Sequence, residues 1–461
     1  MTTSLRFPAL GLGLLIAAAA SGADIPEPPN PSKGGVTTMV AQMRSGAVRV
    51  VNPDDKAATD ANRKALRTVA QYLAYTIAKP PYNGEAEPRV AGKPPEPGER
   101  SMTVLMAEAT DKYFTLTPPV GTNGKLIQEQ LEYGAELGAE VAIAVKLVLD
   151  NSARPIERVN AVRLLSLAAK MPCPILADPL ADIVKNAKES EALKYYACQG
   201  LKSLLEQADA IDPTRHIIKD AAKLTAIGQS LSSYVTAKRE PRDERETAVI
   251  QYVRREAVAA LARFKDGVMR KPNKEVLFRP AWQIMRVIEM DPSVTPAFTI
   301  QERIEAAAGF CLMRIDPEMN LDVAAYSVAK VLVDFAREAN LDSQRAEREK
   351  TLPILPWKVA AARLSYALAV WSQAAKPLAK TRFPEAITSL ADEGVRMLAP
   401  IEKGGPGAQT NSNAIATWEV NNPPRAWAEV PQKPAILFKD DPQSLLPFAV
   451  PTMLVTPPVK K

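Results

Sequence analysis

Apolar residues recur at helical spacing along most of the chain. In the stretch VRREAVAALARF, Val253, Ala257, Leu261 and Phe264 fall at i, i+4, i+8 and i+11, on one face of an α-helix. Comparable spacing predicts amphipathic helices arranged in pairs, so the sequence predicts an all-α domain over 102–403. The first helix of each successive pair is predicted at 131–149, 179–187, 223–235, 280–290 and 321–339.

A short motif recurs on the second helix of each pair. A basic residue is followed by alanine three positions later and by a large apolar residue seven positions later. The four copies are Arg158–Ala161–Leu165, Lys194–Ala197–Leu201, Arg254–Ala257–Leu261 and Arg303–Ala306–Phe310. A weaker fifth copy begins at Lys358, where Ser365 takes the last position beside Leu364. We expect the alanine at a close helix crossing, the large side chain in the core and the basic residue at the edge of the apolar face.

This pattern resembles HEAT-type α-solenoid repeats, whose second helix commonly has the sequence V-R-x-x-A-x-x-A-L. Residues 253–261, VRREAVAAL, match that sequence at every position. The resemblance implies an irregular solenoid of stacked helical hairpins, with an interaction surface formed by the second helices. The copies begin 36, 60, 49 and 55 residues apart, compared with a family spacing of about 40. An ordinary all-α domain is the alternative, because helical periodicity alone does not distinguish the two.

Residues 1–23 have the layout of a secretory signal peptide. One arginine precedes the apolar run 7–20, and Ser21 and Ala23 place small residues at the −3 and −1 positions. We expect cleavage between Ala23 and Asp24, which would export the protein to the periplasm or the extracellular space. An uncut anchor is the alternative, but the run is shorter than the roughly 20 residues that span a bilayer. No stable membrane insertion is expected after cleavage.

Prolines divide the rest of the chain. The sequence predicts a proline-rich leader over 24–57, one helix over 58–79 and a proline-rich linker over 80–101. After the helical domain we expect a flexible break over 404–422 and a proline-rich, apolar C-terminal arm over 423–461. Such an arm is too rich in proline for a regular helix and too apolar for a disordered tail. We expect it to run extended across the helices and cover a groove, with a docking peptide as the alternative.

Charge argues against a nucleic-acid partner. The chain of 461 residues has a formal net charge of +6. Loss of 1–23, where Arg6 is the one charged residue, leaves +5 from 57 basic and 52 acidic side chains. Nucleic-acid binding needs clustered cations, whereas 237–246 mixes both signs and predicts a solvated linker.

Three cysteines are too few for a disulfide scaffold, so the fold depends on its apolar core. Cys173 and Cys198 could bridge a helix hairpin if their geometry allowed it, and the sequence leaves this open. Cys311 lies in the apolar stretch GFCLMRI, which predicts a small buried thiol.

Catalytic motifs are weak throughout. The one histidine, His216, cannot supply a multi-histidine zinc site, and no G-x-S-x-G elbow accompanies it. The spacing of Gly121 and Gly124 before Lys125 fails the phosphate-loop pattern and predicts a turn leading into a helix. Ser327 and Lys330 match S-x-x-K without the companion motifs S-D-N and K-T-G. The sequence therefore predicts no cofactor and no metal site.

These observations favour an exported, non-catalytic scaffold or interaction module whose partner is another protein. An exported hydrolase, acting through scattered carboxylates or through Ser327 and Lys330, is one alternative. A carrier that holds an apolar ligand under the arm 423–461 is the other.

Overall fold

The computed structural model describes most of the region between the two termini. The described residues are 27–32, 34–78, 102–117, 120–122, 124–207, 218, 220–375, 383–404, 408–423, 436–438 and 441–445. The predicted cleavage site at Ala23 and Asp24, the linker 80–101 and His216 lie outside them.

The described residues form fifteen α-helices. They are α1 (Val36–Ser45), α2 (Lys56–Ala78), α3 (Met102–Ala109), α4 (Gln128–Asn151), α5 (Pro155–Ala168), α6 (Ala177–Lys185), α7 (Glu191–Gln207), α8 (Ala221–Val235), α9 (Glu244–Leu261), α10 (Pro280–Ile288), α11 (Ile300–Leu312), α12 (Leu321–Glu349), α13 (Trp357–Ala375), α14 (Phe383–Lys403) and α15 (Asn413–Asn421). Two short antiparallel hairpins complete the described elements: β1 (Met269–Arg270) with β2 (Val276–Phe278), and β3 (Ile436–Phe438) with β4 (Asp441–Leu445). The predicted all-α class is confirmed.

The helices stack in two layers. Helices α5, α7, α9, α11 and α13 each pack against the next and form what we call the second-helix layer. Their partners α4, α6, α8, α10, α12 and α14 form the first-helix layer, and the β1–β2 hairpin packs on α8. One continuous cluster of buried apolar side chains runs between the layers from Val40 to Phe438. The fold is therefore an irregular, solenoid-like stack in which each helix mainly contacts its neighbours.

Local signals explain where several helices begin. Asp220, Asp243 and Asn320 each accept a hydrogen bond from a backbone N–H in the first turn of the following helix. Thr299 and Glu302 form a reciprocal capping box at the start of α11. Because this box fixes Glu302 at the first turn of α11, it also orients a carboxylate toward α9.

The N-terminal region is more helical than its proline content predicts. The leader predicted over 24–57 contains α1, whose Val40 and Met43 are buried, and α2 begins at Lys56. Helix α3 ends at Ala109 and continues as one π-helical turn, Thr110–Phe114. Both α1 and α2 pack on α4, so this region closes the N-terminal end of the stack.

The prediction of a flexible break over 404–422 was wrong for its second half. Helix α15 lies there, with Ile415 and Trp418 buried against the stack. The indole N–H of Trp418 donates to the Ser389 hydroxyl at 2.9 Å, and Asn340 exchanges two hydrogen bonds with the backbone of Thr410. Only two side chains of this nine-residue helix are buried, so its composition gave little indication that it packs against the stack.

The part of the C-terminal arm that is described, 436–438 and 441–445, forms a hairpin against the helices rather than one extended strand. The Leu437 carbonyl accepts from the Asn320 backbone N–H at 2.7 Å, and Asp441 pairs with Arg279 at 3.0 Å. Leu437 and Phe438 are fully buried. This segment thus contacts the residues that immediately precede α10 and α12.

None of the described helices combines the length and the apolar character that crossing a membrane requires.

Candidate interaction surface

The motif residues line the contacts between neighbouring helices. Each motif alanine is fully buried, and each large apolar residue at the last position is at most 2% exposed. These residues are Ala161, Ala197, Ala257 and Ala306, followed by Leu165, Leu201, Leu261 and Phe310. In the weaker fifth copy Leu364 is fully buried, and Ser365 is buried beside it.

Three of the basic motif residues, Lys194, Arg254 and Arg303, are buried between helices, so the expectation that they lie at the edge of the apolar face was wrong. The Arg254 side chain is 1% exposed and forms an ion pair with Glu302, which is 0% exposed. Its Nη2 donates to Glu302 Oε2 at 3.1 Å, and its Nη1 donates to the Pro296 carbonyl at 2.6 Å. Since Glu302 lies on α11, this arginine ties one second-layer helix to the next.

Arg158 and Arg303 form comparable links. Arg158 pairs with Glu189 at 2.7 Å, just before α7, and donates to the Leu149 carbonyl in the last turn of α4. Arg303 pairs with Asp334 of α12 and donates to the carbonyl of Ile288 at the end of α10 at 2.9 Å. A cation is favourable at a helix C-terminus, where carbonyl groups lack partners within the helix. Each arginine therefore joins a first-layer helix to the following pair.

Lys194 takes the same position in α7 with a different set of partners. It pairs with Glu191 at 3.3 Å and lies over the Tyr234 ring. Glu191 also accepts from the Tyr234 hydroxyl and pairs with Arg239, which stacks on the same ring at 3.8 Å. In the four full copies of the motif the basic residue therefore links neighbouring helices through ion pairs, and it is buried in all but Arg158, which is 24% exposed.

The opposite, outer side of the second-helix layer carries a row of tyrosines. Tyr195 of α7 stacks on Tyr252 of α9 with ring centroids 5.1 Å apart, and Tyr196 meets Tyr195 edge-on at 5.2 Å. The Tyr252 hydroxyl donates to the Tyr195 hydroxyl at 3.2 Å, and the Gln199 amide donates to the same oxygen at 2.8 Å. Burial and the bond with Tyr252 raise the pKa of Tyr195, and the Glu256 carboxylate adds to that rise. Tyr195 therefore stays protonated, and it is held between the rings of Tyr196 and Tyr252.

Arginines flank this row. The Arg255 guanidinium lies 5.2 Å from the Tyr252 ring centroid and donates to Gln301 Oε1 of α11 at 2.7 Å. Arg163 of α5 lies 6.0 Å from the Tyr196 ring centroid, at the outer limit of a cation–π contact. We call the set Arg163, Tyr195, Tyr196, Tyr252 and Arg255 the tyrosine–arginine row; it spans α5, α7 and α9.

A short apolar loop, TLPILP over 351–356, continues this surface beyond α11. Leu352 and Ile354 are 74% and 69% exposed. The loop is nevertheless held firmly, because Asp342 accepts from the Leu355 backbone N–H at 3.1 Å and from the Trp357 indole at 2.8 Å. Burial opposes ionisation of Asp342, but these bonds together with Arg345 keep its pKa below the usual range. Its apolar side chains are thus presented to solvent on a fixed support.

A cavity joins the row to the loop. It has a volume of about 100 Å³ and is lined by Arg255, by Gln301, Ile304 and Glu305 of α11, by Ala360 and Arg363 of α13, and by the end of the loop. Arg363 forms an ion pair with Glu305 inside it. A wider groove of about 410 Å³ lies on the other side of the loop, between Leu352 and Ile401. The row, the cavity and the loop together form the candidate interaction surface.

The surface residues follow the register of the motif. The position after the basic residue holds Val159, Tyr195, Arg255, Ile304 and Val359, and the position four residues further holds Arg163, Gln199, Ala259, Ala308 and Arg363. Residues four apart share a helix face. Most of these side chains lie in the row or line the cavity. Sequence reasoning missed them because it followed the buried face of the motif and ignored the next positions along the chain.

The residues of the S-x-x-K match are already engaged. The Ser327 hydroxyl is fully buried and donates to the Val323 carbonyl of the preceding turn at 2.9 Å. Lys330 pairs with Glu289, the residue that follows α10, at 2.6 Å. A serine nucleophile needs an exposed hydroxyl next to a base. This geometry therefore does not favour a serine–lysine hydrolase at this position.

The remaining candidate residues occupy structural positions. Cys173 and Cys198 are free and buried on different elements, so the bridge that the sequence left open does not form, and Cys311 is a buried free thiol as predicted. Burial raises the pKa of Cys173 to about 12. Gly121 and Gly124 lie in a turn shortly before α4, with positive φ angles of 89° and 75°.

Comparisons with known proteins give no assignment. No protein-family model matches the sequence, and no curated protein or solved structure is significantly similar to it. Within the described part of the chain, no group of three or more His, Cys, Asp or Glu side chains is placed to hold a metal ion.

Proposed function

We propose that this chain is an exported protein-interaction or scaffold module built on HEAT-like repeats, and that the candidate interaction surface binds another protein. The observation that carries the proposal is the continuity of the tyrosine–arginine row, the cavity and the loop 351–356 across successive helices. Tyrosine, tryptophan and arginine are enriched among the residues that dominate binding energy at protein interfaces. The composition of this surface is therefore typical of a binding face.

Rigidity is a second argument for binding. The second-helix layer is held by buried ion pairs such as Arg254–Glu302, and the loop 351–356 is fixed by Asp342. A surface ordered before binding loses less conformational entropy when its partner arrives, which increases affinity. Exposed apolar side chains on a fixed loop would otherwise be a liability in water.

Two parts of the proposal rest on the sequence alone. Export depends on the signal-peptide pattern of residues 1–23, and the HEAT-like assignment depends on the motif best matched at 253–261. The diluted net charge favours a protein partner over nucleic acid.

The test is capture of the partner from the cell envelope of the source organism, with residues 24–461 as bait and mass spectrometry as the readout. A variant with Tyr195→Ala and Tyr252→Ala is compared with a matched control, Ile143→Ala and Leu147→Ala, which removes exposed apolar side chains from α4 in the first-helix layer. We expect one reproducible partner that the control keeps and the tyrosine variant loses. Equal capture by both variants, or no specific capture by the unmodified bait, would overturn the proposal.

A further inference from the structure

We infer that the partner presents an acidic side chain next to a short aliphatic one, with the carboxylate paired to Arg255 and the aliphatic group seated in the cavity beside Ile304. This inference rests on the proposed function and specifies the chemistry of its partner. It follows from the charge around the cavity and from the size and lining of the cavity.

Arg255 differs from the motif arginines of the layer. Arg158, Arg254 and Arg303 all form ion pairs with carboxylates. Arg255 is held by a neutral amide, Gln301, and by the face of Tyr252, and no described carboxylate forms an ion pair with it. The guanidinium carries five donors in a planar fork that matches a carboxylate. Arg255 is therefore oriented before binding, with its charge left for a partner.

The surrounding charges favour an anion. Arg363, also in the cavity, is neutralised by Glu305. The neighbouring Glu256 carboxylate is not part of the cavity lining, and its charge helps to raise the pKa of Tyr195 on α7. Lys358 is exposed beside the loop, and like Arg163 it forms no ion pair with a described carboxylate. The face thus has an excess of positive charge, and a basic partner would have to bury Arg255 against a like charge, which is costly.

The cavity favours an aliphatic side chain. Ile304 of α11 and two residues of α13, Val359 and Ala360, contribute apolar surface, and the end of the loop adds Leu355 and Pro356. Its volume of about 100 Å³ is smaller than the roughly 150 Å³ of an engineered apolar cavity that accepts benzene. A leucine-, isoleucine- or valine-sized group fits better than an aromatic ring. Because Arg255 lines the same cavity, the acidic and aliphatic groups must be close neighbours in the partner.

The experiment is selection of a random twelve-residue peptide library, displayed on phage, against immobilised protein spanning 24–461. The same library is selected against Arg255→Ala and against a charge-matched control, Arg245→Ala, which removes one exposed cation from the same helix ten positions earlier. Enriched peptides are sequenced, synthesised with a fluorescent label and titrated at low and at high salt by fluorescence anisotropy.

We expect enriched peptides to combine Asp or Glu with a nearby Leu, Ile or Val. Their affinity should fall at least about tenfold for Arg255→Ala, remain for Arg245→Ala and weaken with added salt. Enrichment of basic or uncharged apolar peptides that still need Tyr195 and Tyr252 would overturn the acidic specificity and leave the proposed function standing. If the enriched peptides bind equally well without the Arg255, Tyr195 and Tyr252 side chains, or if no peptide is enriched, the inference is overturned and the proposed function is weakened with it.

A second copy of this chain is a further outcome of the test. Sedimentation velocity measures the oligomeric state. If it shows a dimer that Arg255→Ala dissociates, a second copy of the chain binds this surface, and the inferred acidic partner is wrong.

Discussion

Two consecutive arginines of α9 show the two sides of the second-helix layer. Arg254 is 1% exposed, and carboxylate and carbonyl groups from beyond α9 surround it. Arg255 is partly exposed, lies on a tyrosine ring and is bound by one amide. The 100° rotation between successive helix residues is enough to put one guanidinium between the helices and the other on the surface.

The comparison separates two kinds of constraint on one repeat. A cation between helices must be paired, because an isolated buried charge costs several kcal/mol. A cation on the outer face is solvated, so it contributes little to stability and remains available for recognition. The motif positions that hold the helices together and the positions that meet a partner are thus adjacent in sequence but physically independent.

Removal of the Arg254 side chain should have the largest effect on stability. Arg254→Ala leaves Glu302 buried without its cation, and we expect the free energy of unfolding to fall by about 3–5 kcal/mol. Urea denaturation followed by circular dichroism measures the change. The apolar pair Arg254→Met with Glu302→Leu should restore much of the loss, because it removes both charges together. A loss below 1 kcal/mol for Arg254→Ala would mean that this ion pair is not important for stability.

A smaller loss of stability is expected where α11 packs closely against the end of α9. A Cβ atom at Gly309 would lie 2.7 Å from the Cα of Ala262, so the helices must separate to admit Gly309→Ala. We expect a loss of about 1–3 kcal/mol despite the better helix propensity of alanine. Adding Ala262→Gly should recover part of it. An unchanged thermal midpoint for Gly309→Ala would show that this approach is not tight.

The partly buried carboxyl of Glu419, in α15 at the end of the stack, should make the stability of the protein depend on pH. Burial raises its pKa to about 7, the Lys330 cation opposes the rise, and the carboxylates of Asp334 and Glu289 reinforce it. The folded protein thus keeps a proton that the unfolded chain, with a glutamate pKa of about 4.3, has released. This contribution to stability is present below about pH 4 and is lost as the pH rises to about 7.

The measurement is the free energy of unfolding of the unmodified protein and of Glu419→Gln at pH 5 and at pH 8. We expect the unmodified protein to lose more stability over this interval than the variant, whose neutral amide does not titrate. Identical pH responses would show that Glu419 titrates normally. The comparison between the two proteins removes the contribution of every other titrating group they share.

The smallest effect on stability is expected on the outer surface. Leu352→Ser with Ile354→Ser changes exposed side chains on a loop held by Asp342, and the free energy of unfolding should change by no more than about 0.5 kcal/mol. Partner capture should nevertheless be lost, because the variant removes the apolar part of the proposed surface. A large loss of stability would show that the loop side chains support the fold. The distinction between inner residues that stabilise the layer and outer residues that bind a partner would then fail.

Most of the helices were predictable from the sequence because amphipathic spacing is a local property. The prediction of a helix over 223–235 corresponds to α8, and that over 280–290 corresponds to α10. Proline content was a poorer guide, since it concealed α1 in the leader. Proline restricts its own φ and the residue before it, but it leaves the helix-forming stretch after 35 unaffected.

The candidate surface was only partly predictable. Tyr195 and Arg255 follow motif residues directly, so their placement opposite the core is implied by helical geometry. Their meeting with Gln301 and with the loop 351–356 depends on how α9, α11 and α13 stack. No spacing within a single helix contains that information.

The sequence by itself determined most of the helices, the pairing of helices along 128–403 and the positions of the motif alanines at helix contacts, because each depends on residues within a few turns of one another. Only the tertiary structure decided that the motif arginines Arg254 and Arg303 are buried. Arg254 can leave water because Glu302, 48 positions later, and the carbonyl of Pro296 meet it between two helices. A charge is buried or exposed according to the partners that the fold brings to it, and those partners come from distant parts of the chain.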